Sequence, residues 1–191
     1  YKTKKRACFM NEHILSKMAD PIHNFHLPRY QEIPDVGLYL EQTAKYIDTY
    51  LQPLESISIT SSMISNYVKK KIISSPVKKQ YGRDQIASLI FIAVAKSVLS
   101  LDNIHMMFEI QRETYDNETA YNYFCNEFEH TLRHVFELDR TEVTEAAPHN
   151  GQKEHGASSN EKTMLRNMIM TVAHKIYLDR YFSLLRDEDT I

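Results

Sequence analysis

Thr60-Ser61-Ser62-Met63-Ile64-Ser65-Asn66-Tyr67-Val68-Lys69-Lys70-Lys71-Ile72-Ile73-Ser74-Ser75-Pro76-Val77-Lys78-Lys79-Gln80-Tyr81-Gly82-Arg83 is the stretch on which the reading of this chain turns. A Thr60 or Ser61 side chain can accept from the unpaired N–H groups of a first helical turn, so the stretch predicts a helix over about Ser62 to Lys70. Met63, Ile64 and Tyr67 fall on one face of it, spaced for burial. Ser61, Ser62, Ser65 and Asn66 remain as short polar side chains. Ser74-Ser75-Pro76 breaks the helix. Val77 to Tyr81 reads as a short extended piece, a small or vestigial wing. Gly82 or Arg83 opens the next helix, carried by Ile86, Leu89, Ile90, Ala93, Val94 and Val98.

The charge of this stretch sets it apart. Residues 60–83 hold Lys69, Lys70, Lys71, Lys78, Lys79 and Arg83, and no acid. The whole chain has 23 bases and 25 acids, a net charge of −2. Taking those six from the 23 leaves 17 bases against 25 acids, a balance of −8 elsewhere. A local basic patch on an acidic body attracts a polyanion at one place while the body limits non-specific sticking. A lysine run can also be a plain solvated face.

Outward from the stretch, the chain reads as helices. Asn11 caps a short helix to about Met18, and residues 20–34, with Pro21, Pro28 and Pro34, read as extended loop. A helix is predicted over residues 35–51 from Val36, Leu40, Ala44, Ile47 and Leu51, with Pro53 ending it. Ser100 caps a helix over residues 101–113. Residues 117–137 and 161–185 carry two longer amphipathic helices, the first on Tyr121, Phe124, Cys125, Phe128 and Leu132. Between them, residues 139–160 read as loop, with Pro148, Gly151 and Gly156. The predicted organisation has three parts. Residues 1–34 form a basic arm, short helix and loop, 35–113 the functional domain, and 114–191 a C-terminal helical region for dimerisation or sensing.

Composition agrees with an all-α class. Of 191 residues only four are glycine and six proline, too few turn formers for a fold rich in hairpins. Hydrophobic residues at 42% and charged residues at 25% describe an ordinary globular chain. The longest apolar segment, residues 86–101, is interrupted by Ser88, Lys96, Ser97 and Ser100, short of the roughly 18 apolar residues a membrane span needs. Residues 1–6 have the charge of a signal peptide's first region, but Asn11, Glu12 and His13 stand where its apolar core would follow. The chain does not begin with Met, which fits a fragment or a processed product. Cys8 and Cys125 sit in no ligand pattern and read as reduced thiols of a cytoplasmic protein.

A DNA-reading helix needs a bracing helix before it, short polar side chains at its N-terminal end, and cations around it for phosphates. Residues 35–51 can brace. Ser61, Ser62, Ser65 and Asn66 can approach bases, Asn66 with adenine as a partner. Lys69, Lys70, Lys71, Lys78, Lys79 and Arg83 can hold phosphates, and Tyr81 either packs under the wing or touches one.

The stretch resembles the MerR-type helix-turn-helix. That family has a Ser or Thr cap, a Thr-Ile-Arg-Tyr-Tyr-Glu helix, an apolar pair with prolines, a basic wing, then an apolar helix. Here the matching pieces are Thr60 or Ser61, Met63 to Lys69, Ile72-Ile73 with Pro76, Val77 to Tyr81, and Gly82 to Ile86 leading into the helix. Leu99-Ser100-Leu101-Asp102-Asn103-Ile104 looks like the start of the family's next helix. Ser65 and Asn66 replace its Arg and first Tyr, the wing is several residues shorter, and its long dimerising coiled coil is not evident. Lys71 stands where it has Gly, so the helix must end differently or Lys71 must take left-handed backbone. A closer resemblance, over about residues 35–110, is to a bacterial family described only as a domain of unknown function. It rests on Met63-Ile64-Ser65-Asn66-Tyr67-Val68-Lys69, Pro76-Val77-Lys78-Lys79-Gln80-Tyr81, Leu89-Ile90-Phe91-Ile92 and Lys96-Ser97-Val98-Leu99-Ser100. Together the two resemblances imply a sequence-specific DNA-binding transcriptional regulator acting on double-stranded DNA. One short recognition helix covers few base pairs, so a homodimer on a two-fold site is expected, with the C-terminal helices free to dimerise or to sense a small-molecule effector. The other class of reading is a protein-interaction adaptor on the same scaffold, with an acidic partner for the lysines.

Catalytic patterns are missing. The chain has no Gly-rich phosphate loop, no Gly-x-Ser-x-Gly and no His-Glu-x-x-His, so no enzyme and no cofactor is expected. His130 and His134 share a helix face with Glu127, a spacing that suits a metal, but no third ligand is implied and no metal is expected. Cys125 reads as a packing residue. Tyr121, Tyr123, Phe124 and Phe128 read as core, with an effector pocket between C-terminal helices as the second reading.

Overall fold

The computed structural model describes residues 16–138 and 160–188. The basic arm, the Asn11 cap, Cys8 and nearly all of the predicted 139–160 loop lie outside them. In order, the described elements are helix α1 (16–23), a 3-10 turn (Tyr30–Glu32), strand β1 (Leu38–Tyr39), α2 (Leu40–Leu51), a second 3-10 turn (Gln52–Leu54), α3 (Ser61–Lys69), β2 (Gln80–Tyr81), α4 (Arg83–Ala95), α5 (Leu101–Thr114), α6 (Asn117–Val135) and α7 (Asn160–Glu188). The class is all-α, with β1 and β2 as a minor antiparallel ribbon.

α4 is the axis of the packing. Ile86, Ala87, Leu89, Ile90, Ile92, Ala93, Val94 and Ala95 are all buried, so beyond its first turn it is apolar on most sides, as a largely enclosed helix must be. It packs against α2, α6 and α7. Each large side chain it buries stabilises the fold by roughly 1.5–3 kcal/mol relative to exposure. α6 and α7 form the most extensive helix pair, and Phe124, Phe128 and Leu132 of α6 are buried with Ile169, Val172 and Ile176 of α7. Ser100 caps α5 as predicted, its Oγ accepting from Asn103 N at 3.2 Å.

The start of α2 corrects the predicted 35–51 helix. Leu38 and Tyr39 are strand, paired with Tyr81 and Gln80, and the helix begins at Leu40. Val36 is 75% exposed and faces no core. The ribbon competes for the backbone of 38–39, and the Tyr39 N–H is taken by Gln42 Oε1 at 2.9 Å. Gly37 suits this approach, since a Cβ there would stand 2.7 Å from Gln80 Cβ.

The 20–34 segment is also more ordered than a loop reading implies. α1 continues through Pro21, because Met18 and Ile22, one turn apart, are both buried. Phe25, Leu27 and Ile33 join the core as well. Glu129, a buried carboxylate of α6, accepts from Leu27 N at 2.8 Å and takes Arg29 in a two-pronged pair at 2.7 Å on each oxygen. Tyr30 N donates to Asn122 Oδ1 at 2.9 Å. One buried cluster therefore runs from Met18 to Ile176 and draws on all three predicted parts of the chain.

Candidate nucleic-acid interface

α3 is capped by Thr60, whose Oγ1 accepts from Met63 N at 3.3 Å. Ile64 and Tyr67 are buried against the core, and α3 packs on α2. The opposite face presents Ser62, Ser65, Asn66 and Lys69, spaced i, i+3, i+4 and i+7, and all exposed. Ser61, in the first turn, is half-buried. The link from α2 to α3 spans residues 52–60, with a 3-10 turn and Glu55 at φ 53°. That is longer than the three to four residues usual in a helix-turn-helix.

The C-terminus of α3 closes in a Schellman motif. Ile72 N donates to Tyr67 O at 3.0 Å and Lys71 N to Val68 O at 2.9 Å. The motif requires left-handed backbone at Lys71, and its φ is 58°. The wing repeats the pattern. Val77 and Gln80 exchange hydrogen bonds at 3.1 and 2.9 Å across a two-residue turn. Lys78 and Lys79 fill that turn at φ 50° and 66°, positions that favour Gly and Asn. Three of the five lysines thus project from backbone a glycine would hold with less strain.

Lys69, Lys70, Lys71, Lys78 and Lys79 are all exposed. Among the described residues none of them pairs with an acid. Two predicted contact residues are placed differently. Tyr81 is 4% exposed, and its burial raises its hydroxyl pKa. It packs beneath the ribbon, away from any surface ligand. Arg83 is committed internally. Its Nε donates to Ile33 O at 2.9 Å and its Nη1 to Gln31 Oε1 at 3.2 Å, while Nη2 lies 3.7 Å from Asp35. Its guanidinium also covers the Tyr30 ring at 5.5 Å. It fastens the 30–35 segment to α4. The left-handed wing turn was not read from sequence, since Lys-Lys lacks the Asn or Gly that marks one. Val36, Tyr39 and Val77, exposed apolar side chains beside the ribbon, were also missed.

Two further groupings resolve differently from each other. Glu127, proposed beside His130 and His134, is taken by Arg166 at 2.9 Å. Among the described residues no three His, Cys, Asp or Glu side chains gather. The aromatic face of α6 does border a cavity. A space of about 180 Å³ lies between α4, α5, α6 and α7, bordered by Tyr121, Tyr123 and Phe124 together with Phe91 and Phe108. Phe128 instead stacks on Phe124 and meets Phe25 edge-on in the core. Cys125 is fully buried, and desolvation pushes its thiol up to about 12, so it is no nucleophile at neutral pH. No described helix is long and apolar enough to cross a membrane.

A family profile described as Domain of unknown function (DUF1836) matches residues 28–124, half of the chain. No curated protein and no solved structure matches it. The matched range takes in the 30–35 strap, the ribbon, α2 to α5 and the first turns of α6. The chain belongs to the DUF1836 family.

Proposed function

We propose that this DUF1836 chain is a sequence-specific DNA-binding transcriptional regulator that acts in the cytoplasm. α3 reads base edges with Ser62, Ser65 and Asn66, α2 braces it in a MerR-like arrangement with a lengthened turn, and Lys69, Lys70, Lys71, Lys78 and Lys79 hold phosphates. Ser61 is half-buried in the capping turn and is a marginal member of the set. The observation that carries this reading is the pairing of a wholly polar, acid-free face on α3 with lysines placed at strained backbone. The backbone hydrogen bonds of the Schellman motif and the wing turn hold those lysines in place, and their side chains pair with no acid among the described residues. A polyanion supplies that partner.

One short reading helix covers few base pairs, so the regulator acts as a homodimer on a two-fold site. Met170, Leu178 and Phe182 are exposed along α7 and are the surface for that pairing. A small molecule acts as the effector.

Fluorescence anisotropy on the DNA upstream of the chain's own reading frame, against a scrambled duplex, tests this across a salt series. Binding prefers the native fragment. With about five phosphates neutralised per protomer, log affinity falls against log salt with a slope of roughly −4 to −5 per protomer. Changing Lys69, Lys70 and Lys71 together to alanine flattens that slope. No binding to any duplex at low salt overturns the reading. It then leaves the adaptor, an acidic protein partner seated on the lysines. The exposed Val36, Tyr39 and Val77 beside the wing favour that second reading.

A further inference from the structure

We propose that the cavity between α4, α5, α6 and α7 binds a small, neutral molecule with a single aromatic ring. Its volume is about 180 Å³. It opens to solvent on one side, where the exposed Asp84, Asn117 and Thr119 stand, and its inner walls are apolar. An apolar cavity of roughly 150 Å³ accepts benzene, so this one suits roughly six to ten non-hydrogen atoms. The walls specify the chemistry. Phe91 stands edge-on to Phe124 at 5.1 Å and tilted against Phe108 at 5.4 Å. Ala87, Met107 and Leu165 add to the apolar lining. Such a box offers an entering ring both the faces and the edges that aromatic pairs prefer.

Charge on the ligand is disfavoured. Asp84, Glu161 and Lys162 border the cavity with both signs, so neither ion is selected, and either loses its hydration on entry. One hydroxyl is accommodated. Gln111 borders the space, and its amide nitrogen already donates to Tyr115 O at 2.8 Å, which leaves its side-chain oxygen to accept.

The cavity is placed to influence the basic face. Asp84, on its border, accepts the Tyr30 hydroxyl at 2.5 Å and sits in the first turn of α4, directly after the ribbon. At the other end of α4, Lys96 Nζ lies 3.5 Å from Met63 Sδ of α3. Occupancy therefore presses on a helix that touches both the wing and the reading helix. The effector role rests on the DNA reading of those elements. The binding site does not.

Methyl NMR of the full chain labelled at its methionines, titrated with benzyl alcohol and no DNA present, tests both parts. Met107 and Met164 border the cavity, and Met18 is buried away from it in α1. Met107 and Met164 shift saturably, with a dissociation constant on the order of 1 mM for so small a ligand, while Met18 stays still. Benzoate, of nearly the same size but charged, produces no such shift. Ala120→Leu, at a half-buried wall position, abolishes the response, and an unchanged Met18 signal certifies its fold. Absence of saturable shifts at Met107 and Met164, or equal binding by Ala120→Leu or of benzoate, overturns the site. Met63 moving on the same curve supports the effector role, and a motionless Met63 removes that role alone. The DNA reading stands or falls on its own anisotropy titration.

Discussion

Lys71, Lys78 and Lys79, at φ 58°, 50° and 66°, set stability against function at single positions. Left-handed backbone costs a residue with a Cβ roughly 1 kcal/mol relative to glycine. Lys71→Gly therefore raises unfolding free energy by up to about 1 kcal/mol in urea, while it weakens DNA affinity. A variant that loses stability and binds DNA as before contradicts the reading of Lys71 as a functional cation. Cys125 and Tyr30 speak to pH. Burial pushes the Cys125 thiol from its ordinary value near 9 up to about 12. Burial, with the Asp84 hydrogen bond adding to it, raises Tyr30 from 10 to about 12. Both folded values are raised, so the folded chain holds these protons more tightly than the unfolded one. The stability they carry is complete below about pH 9 and falls as pH rises toward 12. The limit is about 1.4 kcal/mol per pH unit for a fully buried group, and less for the partly exposed Tyr30. Melting temperatures between pH 8 and 11 should drop, and Cys125→Ala should flatten part of the fall. A flat wild-type profile would refute this.

Among the elements, the 25–33 segment that leads into the strap depends most on one interaction. Arg29 and Glu129 meet across a hundred residues of chain, with the carboxylate 6% exposed and the guanidinium 35% exposed. The carboxylate holds the already high Arg29 pKa higher still. Arg29→Met strands a buried carboxylate and costs roughly 3 kcal/mol, the low end for a broken buried pair because Arg29 is partly screened. The double variant Arg29→Met, Glu129→Met should recover much of that loss in urea unfolding. Equal losses in both variants would mean that the pair contributes packing alone. Helix α6 was legible from sequence because burial repeats every three to four residues along it, and α4 because its apolar residues run on from the Gly82-Arg83 opening. β1 was not. Two residues carry no alternation to read, and their partner lies about forty residues away at Gln80 and Tyr81.

For the molecule as a whole, the proposed homodimer rests on α7. Met170, Leu178 and Phe182, at 42–54% exposure, line one side of a helix whose other face is core, with the exposed His174 between the first two. Sedimentation of the wild type should show a dimer at micromolar concentration, and Phe182→Glu with Leu178→Glu should yield a folded monomer with weaker DNA binding. A monomeric wild type, or a double variant that still dimerises, would remove α7 from that role. The core that holds α7 also takes in α1, the strap, α2 and α4, so a fragment beginning at residue 35 loses buried surface that includes Met18, Ile22, Phe25, Leu27 and Ile33.

Local signals in the sequence determined the existence of the main helices, a cap at Thr60 or Ser61 and one at Ser100, the all-α class, the acid-free stretch over 60–83 and the left-handed alternative at Lys71. Each depends on neighbours within a turn or two of chain, where side-chain period and capping chemistry act directly. Tertiary structure alone decided which of the cations in that stretch face solvent. Arg83 is bound by Ile33 and Gln31, some fifty residues earlier, while five lysines of the same stretch have no internal partner among the described residues. It also decided that Tyr81 lies under the ribbon and that four helices border a pocket. Such facts depend on which distant segments meet, and that is set by the burial of one shared core, to which no short window of sequence has access.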